Sequence, residues 1–107
     1  MMKIKDVTEI AIIFDNGDEI TFDHYQECCE DNYADFKQID TIGKEHDYSA
    51  PLRFEKVDGY GFRFGDGQLM TFIPCYSDQN GYYSSDIQIY YNNEEVLSFE
   101  CEERCWL

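Results

Sequence analysis

Positive charge is scarce in this chain. Its 107 residues carry 8 Lys and Arg against 23 Asp and Glu, a formal net charge of −15. Affinity for a phosphate backbone comes from Lys and Arg displacing counterions, so direct nucleic-acid binding is not expected. An anionic membrane surface repels the chain for the same reason. No apolar run approaches a membrane span, and Met1-Met2-Lys3-Ile4-Lys5-Asp6 is not the start of a secretory signal. HExxH, a phosphate-binding glycine loop, a GxSxG elbow and CxxC are all missing. Long helical patterns, strict repeats and low-complexity segments are missing too. These absences leave a folded acidic protein with no standard catalytic motif.

What is present points to one domain spanning residues 1–107, with a modest core. Apolar residues make up 43%, and Tyr and Phe supply seventeen of the eighteen aromatics, which favours β structure. Five cysteines without a secretory signal fit a reducing cytoplasm, where spaced thiols are metal ligands or small buried hydrophobes.

Ile10 to Asp15, Asn16-Gly17 and Asp18 to His24 read as a β-hairpin with a two-residue type I′ turn. Ile20, Phe22 and His24 then share the core-facing side of the second strand. Tyr25, Cys29, Tyr33 and Phe36 follow at helical spacing, with Asp23 as a cap, although residues 32–36 read equally well as a short strand. A single helical turn around the cysteines is the expectation, with a loop from Asp40 to Pro51. Alternating segments follow at 52–57, 60–64, 69–76, 82–91 and 94–101. Pro74 marks a strand end, an edge or a bulge, and Asn92-Asn93 a second hairpin turn. The expected fold is α+β and β-dominated: an antiparallel sheet of about six strands with one short helix after the first hairpin.

His24 and Cys28 are four positions apart, as are Cys101 and Cys105. On helix-like turns, each pair directs its side chains the same way. Brought together, the pairs make a Cys₃His set suited to structural zinc. The plainer reading is a satisfied core histidine with buried thiols. A Cys–His nucleophile drawn from Cys28 or Cys29 with His24 or His46 is the catalytic alternative. The surrounding acids disfavour it, because they raise a thiol's pKa.

Residues 15–40 hold nine acids and one base, and residues 94–103 hold five acids and no base. Folding that joins these blocks would merge Asp23, Glu27, Glu30, Asp31, Glu100, Glu102 and Glu103 into one acidic face. The alternative is two solvated faces.

His24-Tyr25-Gln26-Glu27-Cys28-Cys29-Glu30, with the later Asn80-Gly81-Tyr82-Tyr83-Ser84, resembles a family of small domains found in bacteriophages and mobile elements. That family shows a His-x-Gln-Asp/Glu-Cys-Cys-Glu motif and a later Asn-Gly-Tyr-Tyr-Ser, and the resemblance spans residues 8–91. It implies a phage protein working in the cytoplasm of a bacterial host, and it implies no activity. Cys101 and Cys105 lie outside the pattern, so zinc held by them would belong to this member alone. In size and charge the chain is also similar to small acidic anti-CRISPR proteins that act as DNA mimics. The leading expectation is a non-catalytic inhibitor whose acidic face binds a basic nucleic-acid-handling protein such as a Cas9-type effector. A zinc-stabilised interaction module with incidental charge is the second reading, and a thiol-dependent enzyme the third.

Overall fold

The computed structural model describes residues 1–23, 31–79 and 85–105. It is β-dominated, with strands β1 Met2–Val7, β2 Ala11–Phe14, β3 Glu19–Asp23, β4 Asp31–Ala34 and β5 Asp47–Tyr48 in the first half. A 3-10 turn at Phe36–Gln38 and a short helix α1 at Thr41–Glu45 lie between β4 and β5. The second half supplies β6 Arg53–Val57, β7 Gly61–Gly65, β8 Met70–Gln79, β9 Asp86–Tyr91, β10 Glu94–Glu100 and β11 Glu102–Cys105.

The strands form two sheets. The six-stranded one runs β10-β9-β3-β2-β1-β5 and is antiparallel throughout; the other runs β11-β8-β7-β6, with β4 also paired to β8. Between them lie Ile12, Phe14, Ile20, Ile87 and Ile89 from one side and Phe62, Phe64, Ile73 and Cys75 from the other, all fully buried. Burial at this scale stabilises by about 1.5–3 kcal/mol per large side chain before entropy is counted against it. Phe14, Tyr48 and Phe64 meet in a ring cluster with centroids 5.4–6.3 Å apart, which joins the two layers.

Local chemistry accounts for the turns, and in two places it departs from expectation. The Asn16-Gly17 hairpin is not a type I′ turn. Only Gly17 has positive φ, and Gly17 N–H donates to the Phe14 carbonyl while Phe14 N–H donates to that of Asp18. That pattern is a three-residue turn with glycine in the left-handed position. The type I′ geometry occurs instead at Asn92-Asn93, with φ of 51° and 68°. The two turns dock on each other: the Asp18 carboxylate accepts from Tyr91 Oη–H and Asn92 Nδ2–H, and Asn92 Oδ1 accepts from Glu19 N–H at 2.9 Å. These bonds hold the Asp18 carboxyl below its ordinary pKa, with Tyr91 the main cause.

Helical content also occurs where a loop is expected. The expected loop from Asp40 to Pro51 contains α1 and β5. Asp40 caps α1 by accepting from Gly43 N–H at 2.6 Å, and a side chain at Gly43 would collide with Thr71. Residues 31–34, part of the helical stripe, are strand β4. The turn expected around Cys28 and Cys29 lies outside the described residues. Pro74 stands where β8 changes partners. Residues 70–74 pair with β7, and residues beyond Pro74 pair with β4 and β11. A proline fits that handover, because it has no N–H to give.

Candidate functional site

Beyond Pro74, β8 is flanked by β4 on one side and by β11 on the other. The register aligns Asp31, Asp78 and Arg104 in one row and Tyr33, Tyr76 and Glu102 in another. Rows two residues apart share a face, so acids and rings alternate on one side of this three-stranded patch. Asn32, Ala34, Cys75 and Ser77 take the other side and are buried. There Ser77 Oγ–H donates to Asn32 Oδ1, Gln79 Nε2–H donates to Ser77 Oγ at 2.6 Å, and Asn32 Nδ2–H donates to the Asp86 carbonyl. This buried network ties β4 to β8 and β9 and so fixes the register of the outer face.

On that outer face, Arg104 closes a clasp. Its guanidinium stacks 4.1 Å from the Tyr76 centroid, pairs with Asp78 at 3.0 Å and reaches Tyr33 Oη. Next to it opens a cleft of about 510 Å³, lined by Glu9, Ile10, Phe22, Asp31, Tyr33, Ala34, Asp35, Lys37 and Asp78. Phe22 packs on the buried Phe36 ring at 5.8 Å and forms part of the apolar lining. Glu9 and Ile10 sit on the β1–β2 turn, which Thr8 braces by accepting from Ile10 and Ala11 N–H. Ile10 is 70% exposed. Loss of water around Tyr33, with help from the Asp78 charge, pushes its phenol pKa up, so it stays neutral.

The acidic residues singled out from sequence are only partly brought together. Asp31 lines the cleft, and Glu102 shares its face across β8. Asp23 is exposed at the end of β3 and Glu100 at the end of β10, while Glu103 is exposed but falls in the opposite row. Glu27 and Glu30 lie outside the described residues. Sequence reading missed Glu9, Asp35 and Asp78. The signal for Asp78 was available in the alternation Tyr76-Ser77-Asp78, which mirrors Asp31-Asn32-Tyr33.

The proposed zinc ligands fare differently. His24 and Cys28 lie outside the described residues. Cys101 is buried beside the core, and 102–105 is a strand, not a helical turn. The helix-like premise for this pair is therefore corrected. Among the described residues, no three His, Cys, Asp or Glu side chains are grouped to hold a metal ion.

His46, the alternative catalytic base, has a structural engagement. Its Nε2 lies 3.0 Å from Asp66 Oδ2, and its ring stands edge-on to Tyr48 at 4.7 Å. Asp66 is 1% exposed and also accepts from the N–H groups of Ser49, Gln68 and Leu69. Those donors, the Ser49 N–H foremost, hold its carboxyl far below the usual range. The pair thus joins the α1–β5 segment to the β7–β8 turn. Burial pushes the Cys75 thiol well above its ordinary pKa, with Cys101 adding to it, which makes Cys75 a poor nucleophile.

No protein-family model, curated protein or solved structure matches this chain.

Proposed function

We propose that this protein is a non-catalytic, phage-encoded inhibitor that lays an acidic face against a basic nucleic-acid-handling protein, such as a Cas9-type effector. The observation that carries the reading is the β4–β8–β11 face. There Asp31, Asp78 and Glu102 stand among the Tyr33 and Tyr76 rings on one side of a three-stranded patch. Nucleic-acid strands present repeated negative charge beside flat apolar rings, and the channels that hold them are lined with Lys and Arg. The net charge of −15 steers association toward such channels. The phage origin rests on the resemblance of the two sequence motifs.

The test is DNA cleavage by a guide-loaded Cas9-type effector as this protein is titrated in. Inhibition is expected, weakening about tenfold between about 0.1 M and about 0.3 M salt as the charges are screened. Undiminished cleavage at large molar excess, or inhibition indifferent to salt, counts against the reading.

A further inference from the structure

The cleft beside Tyr33 combines two features that a merely solvated acidic face does not need. It has apolar surface from Phe22 and Ile10, and Ile10 is held out by a braced turn instead of folding inward. Four carboxylates, Glu9, Asp31, Asp35 and Asp78, line it against a single lysine, Lys37. Asp78 is already met by Arg104, and Asp35 accepts from Gln38 Nε2. Among the described residues, the carboxylates of Glu9 and Asp31 enter no hydrogen bond or ion pair. The acids do not converge as ligands of one ion. They are spaced around an apolar groove instead, a pattern complementary to separate positive charges with aliphatic stems between them.

We propose that this cleft is the docking site for an extended basic segment of a partner protein, with Lys or Arg flanking an apolar side chain. The apolar residue enters between Ile10 and Phe22, and the flanking cations reach Glu9 and Asp31. Lys37 disfavours a plain polycation, so the apolar residue contributes to selection. The proposal deepens the inhibitor reading and rests on it for the partner's identity alone.

The test is fluorescence anisotropy with a labelled Lys-Arg-Leu-Lys-Arg-Leu peptide and its version with Ser in place of Leu. The wild-type protein should bind the first peptide more tightly than the second. Glu9→Gln combined with Asp31→Asn should weaken binding roughly tenfold, and Ile10→Ser at least about threefold. Glu94→Gln with Glu95→Gln removes the same charge from an exposed hairpin and should change binding less than about twofold. All five positions are exposed, so the variants should keep the wild-type melting temperature to within a few degrees; circular dichroism verifies this. Equal weakening by the two charge pairs, equal binding of both peptides, or no binding at all would overturn the docking site. The inhibitor reading fails separately. Peptide binding without inhibition of cleavage removes that reading and leaves the cleft, whereas full inhibition by the Glu9 and Asp31 variant removes the cleft and leaves the reading.

Discussion

Arg104→Ala should loosen the last strand, and the size of the effect follows from the geometry of the clasp. The guanidinium plane lies over Tyr76 at 4.1 Å, a contact worth about 0.5–1 kcal/mol at an exposed site. The Asp78 pair adds about 0.2–1 kcal/mol, near the lower end because Arg104 is 47% exposed and water screens it. The loss should therefore be about 0.7–1.5 kcal/mol, several degrees in melting temperature for a domain of this size. Arg104→Lys should recover less than half of it, because an ammonium restores the charge but neither the stacked plane nor the two-pronged contact. In about 1 M salt the ion-pair share should vanish while most of the stacking share remains. Urea titrations followed by circular dichroism measure all three. A loss under about 0.5 kcal/mol for alanine, or lysine performing as well as arginine, would refute the clasp as the tie that holds β11 on β8.

Three further outcomes are expected. Asp66 has a folded-state pKa far below its unfolded value of about 3.9, so its stabilising effect is present above that value and lost as pH falls. The stability gap between wild type and Asp66→Asn should thus narrow below about pH 4 in thermal melts. Gly65→Ala places a Cβ against the Leu69 carbonyl oxygen and should cost about 1–3 kcal/mol or more in urea titrations. Asp31→Asn should raise stability by about 0.2–1 kcal/mol, since Asp31 is the register partner of Asp78 and like charges directly opposite repel.

The β-rich architecture was legible because alternation survives in the strands themselves. The alternating pattern marks residues 53–57, 61–64, 70–76 and 94–100 as strand, and Ile20 and Phe22 face the core as their spacing implies. What escaped was governed by contacts distant in sequence. Residues 32–36 fit a helical stripe and a short strand equally well, and what decides for β4 is pairing with β8, more than forty residues away. Helix α1 was hidden in a loop-like composition, and its cap at Asp40 and close approach of Gly43 to Thr71 become visible only in three dimensions. Parallel pairing of β11 was unreadable for the same reason, since four charged or thiol-bearing residues at 102–105 carry no alternating apolar pattern. The cleft draws on Phe22 and Asp78 and on the separate stretches 9–10 and 31–37, and no local motif announces such a set.

The placement of charge is the strongest argument that the face answers to something outside the molecule. Asp31 stands opposite Asp78 across the β4–β8 pair of strands. A sequence selected only to fold would put neutral or opposite charges in such positions, because each like pair costs stability. Here Asp78 is met from the far side by Arg104, while the Asp31 carboxylate has no compensating partner among the described residues. A symmetric solution, with a second basic residue beside Asp31, would stabilise the sheet further and would also fill the cleft with positive charge. Retaining an acidic cleft beside a neutralised neighbour is the arrangement expected where binding a basic partner and maximal stability pull in opposite directions.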